Sequence, residues 1–421
     1  MDVLIIGSGG REHALGWKIS QSRHKIYFAP GNGGTSENVD IRQNDIAKLA
    51  SFAKGKGLLT IVGPEEPLSL GIVDAFEKYG LRIFGPSKSA AMLEASKAFA
   101  KEFMRDAGIP TAEFAIFTDA QEAKDYVKKQ KKPLVVKADG LAAGKGVVVC
   151  DTADQAVAAI DSMMTKKEFG AAGDRIVVEE RLTGEEASFI ALCDGETMMP
   201  LASSQDHKRI SDGDRGPNTG GMGAYSPAPV VNSDLHEKIV KQVMEPVIKM
   251  MKRRGTPFKG FLYAGIMVGE GGDPRVLEFN ARMGDPECQP IMMRMESDLY
   301  EYVDAAVDGR LDSMPPIKWK DQTAVCVVMA ARGYPGSYEK GRVIEGLDSD
   351  FGRDVTVFHA GTARDPQNRI VTNGGRVLGV TALGRDARQA IDNAYSAVRK
   401  IRWGENGHHY RTDIARRAIA R

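Results

Sequence analysis

Cysteine is scarce: four in 421 residues (Cys150, Cys193, Cys288 and Cys326), far apart and never in a CxxC pair. That spacing excludes a disulfide scaffold and a structural zinc site, and it fits a reducing compartment. Long apolar runs are missing too. Nothing approaches the ~20 residues of a membrane span. The opening "MDVLIIGSGG" has too short an apolar run for a signal peptide and leads into glycine, not a cleavage site. Net charge is almost absent, with 57 basic against 56 acidic residues, so no long-range field for nucleic acid or membrane arises. Repeats and low-complexity segments are lacking as well. What remains reads as a reduced, cytosolic and soluble catalytic chain, long enough for two or three domains.

What the chain does hold is glycine, 46 residues, often at the ends of apolar segments. "VLIIG" (3–7) reads as a buried strand leading into a helix, and "KIYFAPG", "LLTIVGPEEPL" and "LRIFGPS" repeat the plan. Strands alternating with helices predict a parallel sheet with ligands at the strands' carboxyl ends. "SKAFAKEFMRDAGIP" (96–110) is a helix closed by Gly108 and Pro110. Then "PLVVKADG", "GVVVC" and "RIVVEERLTGEEASFIALCDG" predict a small mixed sheet with a mobile hairpin, and a long helix spans 235–253. "MPPIKWK" (314–320) is a linker before a β-rich end closed by one helix. The predicted architecture is α/β: an N-terminal parallel-sheet domain (1–100), a central domain (101–320) with a small lid (about 121–190), and a β-rich C-terminal domain (321–421).

Two glycine loops need interpretation. "GSGGREHAL" (7–15) nearly spells a dinucleotide fingerprint, but Glu12 stands where the third glycine belongs and no acidic residue ends the second strand. The loop is either an anion-holding helix start or a tight turn; sequence leaves both open. "KADGLAAGKG" (137–146) fails the P-loop spacing, and strands flank it on both sides. Such a hairpin folds down over phosphates, with Lys137 as a point charge. "VVEERLTGEE" (177–186) offers carboxylates and backbone to an adenine edge and ribose hydroxyls, and "VLEFN" puts Glu278 and Asn280 on one strand face. Two oxygen donors there suit Mg²⁺.

These segments, with "VGPEEPL", "SSQDHKRISDGDRGPNTGGMGAYSP", "LEFNARMGDPECQ", "FHAGT" and "NGGRVLGV", occur in the order of one architecture. The chain resembles the ATP-grasp superfamily, and within it the glycinamide ribonucleotide synthetase family. It departs from the family at Met283, where Leu or Phe is usual. It also lacks the carboxylate that many grasp ligases carry on the strand before the metal pair.

The resemblance implies an ATP-dependent ligase joining glycine to 5-phosphoribosylamine through an acyl phosphate, acting as a monomer with Mg²⁺ or Mn²⁺. It implies that Lys97, Lys137, Gly140, Leu141, Ala142, Ala143, Gly144, Lys145 and Gly146 hold the ATP phosphates. Glu179, Glu180, Arg181 and Leu182 would meet adenine, Glu186 the ribose, and Glu278 and Asn280 the metal. Arg282, Asp285, Asp206 and Lys208 would serve glycine and catalysis, with Arg282 on its carboxylate and Asp285 or Asp206 on its ammonium. Gly9, Gly10, Arg11, Glu65 and Arg376 would receive phosphoribosylamine. Structural roles compete: Glu278 paired with Arg282, Arg282 with Asp285, Arg376 as a strand-turn cap, and His13 and His207 as packing residues. The alternative functions are a sibling grasp ligase or carboxylase component, and a non-catalytic nucleotide-binding module.

Overall fold

The computed structural model describes residues 1–141, 146–405 and 407–419. The N-terminal sheet runs in the order Ile26–Pro30, Val3–Gly7, Leu59–Val62, Ile83–Phe84, all parallel. Val3, Leu4, Ile5 and Ile6 are fully buried, as a parallel strand covered on both faces requires. Glu65 and Glu66 do not sit on an open turn: they form the first turn of the helix Glu65–Leu70, where acidic side chains favour the helix dipole.

The helix Lys97–Ala107 begins at Ser96, whose side chain accepts from the Phe99 amide, and ends at Gly108 with φ +67°. Beyond it are two antiparallel sheets. The small one orders Phe114–Phe117, Ile176–Glu180, Leu134–Ala138, Val147–Cys150 and has its own apolar cluster against the helices Ala120–Lys129 and Ala153–Ile160. The larger orders Met198–Pro200, Glu185–Asp194, Lys259–Val268, Pro274–Asn280. The long helix expected over 235–253 is present as Ser233–Ile239 and Glu245–Arg253 joined by one π-helical turn.

The C-terminal sheet is larger than its own sequence segment. Its order is Gln205–Asp206, Gly223–Ser226, Thr323–Ala331, Arg376–Gly384, Val355–His359, so two strands come from the central region. Gly223 lies against the Cys326 carbonyl and Ile414, where a Cβ would stand 2.7 Å from each. Between the borrowed strands, the hairpin Arg209–Ser211/Arg215–Asn218 projects from the sheet.

Candidate active site

One cavity of about 1380 Å³ lies between the two central sheets and the N- and C-terminal domains. It is lined by Arg11, Glu65, Lys97, Lys137, Gly140, Leu141, Gly146, Glu179, Glu180, Arg181, Leu182, Glu186, Asp206, Lys208, Glu278, Asn280, Arg282, Asp285 and Arg376. Most of the predicted site residues are thus together. Ala142, Ala143, Gly144 and Lys145 lie outside the described residues.

On the lid side, Lys137 and Glu179 share a face of paired strands, and Glu179 makes ion pairs with both Lys137 and Lys101, 2.5 Å from Lys101. Lys101 also donates to Thr111 Oγ1 at 2.7 Å. Burial alone would raise the Glu179 carboxyl, but Lys137 and Lys101 bring it below its ordinary value. Burial pushes the Lys101 ammonium down to about 8 despite Glu179. The Glu179 side chain is therefore committed to two lysines. Lys97 donates to the Gly140 carbonyl at 2.8 Å, closing the base of the hairpin onto the helix.

Opposite, Glu278 and Asn280 face the cavity from one strand. The Glu278 carboxyl, raised by burial, is brought below its ordinary value by Lys208, Lys137, Lys97 and Arg282. Its predicted competitor fails: Arg282 pairs with Glu94 at 2.7 Å and Glu65 at 3.3 Å and donates to Asn280 Oδ1 at 3.0 Å. Among the described residues no cluster of three His, Cys, Asp or Glu forms a metal cage. A carboxylate and an amide oxygen facing an open cavity fit a hard cation that keeps waters and phosphate oxygens.

Glu287, buried, accepts from Tyr263 at 2.7 Å and Ser188 at 3.0 Å and lines the cavity. Neither Glu287 nor Glu94 had been assigned a role, although "GDPE" contains the first. Lys208 pairs with Glu186 at 2.7 Å and Asp206 at 3.7 Å. Burial, with Glu287, Glu186 and Glu278 nearby, pushes the Asp206 carboxyl up to about 8 against the pull of Lys208.

The phosphoribosylamine side differs most from expectation. Gly9 and Gly10 do not line the cavity. The Gly9 amide already donates to Glu12 Oε2 at 2.5 Å, and a Cβ on Gly10 would meet Gln289 at 2.5 Å. Glu12, the residue that breaks the fingerprint, folds back onto the loop and takes up the Gly9 amide. Arg11 reaches Glu12, Glu65 and the Met283 carbonyl. Burial raises the Glu65 carboxyl, but Arg11 and Arg282 bring it down to about 2. Arg376 donates to the carbonyls of Asp285 at 2.5 Å and Gly220 at 2.6 Å and stands 3.5 Å from the Asp285 carboxylate. It straps two segments as well as bordering the cavity. Asp285 pairs there and with Gln289, not with Arg282. His13 accepts from the His359 amide at 2.9 Å and His207 is buried. Both imidazoles are pushed down by burial, to about 3 and about 4.

Family models for phosphoribosylglycinamide synthetase match the chain in sequence: the N domain over 1–94, the ATP-grasp (A) domain over 95–288 and the C domain over 324–417. The phosphoribosylamine–glycine ligase of Vibrio vulnificus is 54% identical, covering 100% of this chain and 99% of its own. That of Pseudomonas aeruginosa is 53% identical with the same coverage. The crystal structure of phosphoribosylamine–glycine ligase from Thermotoga maritima superposes with a TM-score of 0.86 at 35% identity, covering 98% of this chain and 100% of that one. A biotin carboxylase from Campylobacter jejuni shares the fold, with a TM-score of 0.73 at 17% identity over 97% of this chain and 93% of its own.

Proposed function

The chain belongs to the phosphoribosylglycinamide synthetase family, and on that premise we propose that its cavity works through a glycyl phosphate. The activity is ATP-dependent ligation of glycine to 5-phosphoribosylamine, giving glycinamide ribonucleotide, ADP and phosphate in purine biosynthesis. Glycine's carboxylate oxygen is a poor leaving group, so phosphoryl transfer must come before attack by the ribosylamine nitrogen.

The observation that carries this reading is the opposition of two walls in one cavity: Lys97 and Lys137 on one, Glu278 and Asn280 on the other. Lys97 and Lys137 hold the ATP phosphates, the 180–182 strand end receives adenine, and Glu186 the ribose. Glu278 and Asn280 would hold Mg²⁺ or Mn²⁺, which when bound offsets charge on the phosphoryl oxygens. Arg282, fixed by Glu94 and Glu65, faces glycine's carboxylate, and Asp285 its ammonium. Asp206 orients Lys208 toward the developing acyl phosphate. Glu65 and Arg11 border the ribosylamine, with Arg376 holding the adjoining backbone. By the family resemblance the protein acts as a monomer in the cytoplasm.

The test is ADP release with ATP, Mg²⁺, glycine and freshly generated phosphoribosylamine. Release that needs both co-substrates is expected. Release that ignores phosphoribosylamine, or that follows bicarbonate, would overturn the reading in favour of a sibling ligase or carboxylase component.

A further inference from the structure

The hairpin Arg209–Ser211/Arg215–Asn218 is mostly exposed on its second strand, and an isolated two-stranded hairpin is marginal in water. It is held from outside. Arg411, 1% exposed, donates to the Arg209 carbonyl at 3.1 Å, to Asp214 at 2.8 Å and to Asp413 at 2.7 Å. Asp413 accepts from the Gly213 amide and Asp212 from the Thr412 amide, each at 2.8 Å, and Ile210's carbonyl meets His409 Nε2 at 2.8 Å. Arg417 pairs with Asp214, and both line the cavity. The last turn of the chain thus braces a hairpin at the active site.

What the hairpin carries is a cation without a carboxylate. Arg209 lines the cavity, and its Nη1 donates to the Gly216 carbonyl at 2.7 Å; among the described residues no acidic group pairs with it. Its cationic neighbours are already opposed: Arg11 by Glu12 and Glu65, Arg282 by Glu94, Lys208 by Glu186, Arg417 by Asp214. Arg376 is spent on carbonyls and Asp285. Lys97 has no carboxylate partner either, but it sits at the lid hairpin, the ATP end. Thr219 donates to the Lys208 carbonyl at 2.8 Å and the next residue, Gly220, accepts from Arg376, so Arg209 and Arg376 both border the cavity around this segment.

A phosphate monoester dianion gains most from a guanidinium that gives up no carboxylate to meet it. We propose that Arg209 anchors the phosphate of 5-phosphoribosylamine and that Arg411, from the C-terminal tail, positions it. This rests on the ligase reading above.

The test is steady-state kinetics of Arg209→Ala and Arg411→Lys, with ribose 5-phosphate as a competing probe that has the phosphate but not the amine. Arg209→Ala should raise KM for phosphoribosylamine roughly ten- to a hundredfold and weaken ribose 5-phosphate inhibition in parallel. KM for ATP and glycine should hold within about twofold. Arg411→Lys, which loses the guanidinium fork and lowers the melting temperature, should raise the same KM by a smaller factor while KM for ATP and glycine holds. Unchanged phosphoribosylamine KM in Arg209→Ala, or equal losses toward all three substrates, overturns the anchor. If Arg411→Lys alters melting but not that KM, the positioning role is wrong. Wild-type protein without phosphoribosylamine-dependent ADP release would instead sink the ligase reading, and inhibition by ribose 5-phosphate would still be read separately by binding.

Discussion

Lys101 and Glu179 form a buried ion pair at 2.5 Å, each side chain 3% exposed, and Lys137 closes on the same carboxylate. One negative charge between two positive ones leaves a net cation beside the phosphate site. Lys101 therefore shares Glu179 with Lys137 and frees the latter to meet a nucleotide.

Replacing Lys101 with Met keeps the volume and leaves Lys137 as the sole counter-ion of Glu179. KM for ATP should rise roughly tenfold, about 1.4 kcal/mol, while KM for glycine stays put. An ATP constant equal to wild type would show that Lys101 only packs.

Glu278→Gln removes the one charged oxygen of the metal pair. Turnover should fall roughly 10²–10³-fold, and Mn²⁺ binding in the presence of ATP, read by paramagnetic resonance, should weaken. The melting temperature without ATP should move by only a few degrees. A variant that binds Mn²⁺ normally would remove Glu278 from the metal site.

Gly63 lies against Glu12, where a Cβ would come 2.1 Å from Oε1. Gly63→Ala should destabilise the protein by about 1–3 kcal/mol in denaturant titrations. A midpoint unchanged from wild type would mean that Glu12 swings away freely and that its grip on Gly9 is weak.

Acid should loosen the protein early. His13, His207 and His359 have imidazoles pushed from 6.5 to about 3, 4 and 4, first by burial, with the neighbouring His359 adding for His13, Arg411 for His207 and Arg364 for His359. Below 6.5 the unfolded chain takes up protons that the folded one refuses, so stability falls as pH drops from 6.5 toward 4. Glu65, down to about 2, contributes above its ordinary 4.5 and adds its loss only below that. Melting temperatures at pH 7.5, 6.0 and 5.0 should decline in that order, and His13→Asn should flatten the slope. Asp206, raised by burial to about 8, gains stability as pH falls through that value and opposes the histidines, so the deciding comparison is the variant: a His13→Asn slope equal to that of wild type would refute the burial argument.

Local signals carried much of this architecture. Ser96 and Gly108 bounded a helix before any contact was known, and the alternation in "VLEFN" put Glu278 and Asn280 on one face. What local pattern cannot supply is a partner distant in sequence. The pairing of Gly223–Ser226 with Thr323–Ala331 crosses the proline-marked linker, so the strand's true sheet was invisible to periodicity. Glu94 and Glu287 were equally hidden, because an acidic residue on a short helix looks solvated until Arg282 or Tyr263 is placed beside it. The fingerprint loop shows the converse: Glu12 was visible in the sequence, but its fold-back onto the Gly9 amide emerged only in three dimensions.

The borrowed strands also set an order of assembly. A ribosome releases Gly223–Ser226 long before Thr323–Ala331, the strand it pairs with across the linker, whereas Gln205–Asp206 meets its own partner, Gly223–Ser226, soon after, and nascent chains organise from the amino end. The central region must wait with one edge of Gly223–Ser226 open, and the hairpin before that strand waits longer still, until Arg411 emerges. A nascent chain stalled before Arg411 has both walls of the cavity but no braced hairpin beside them.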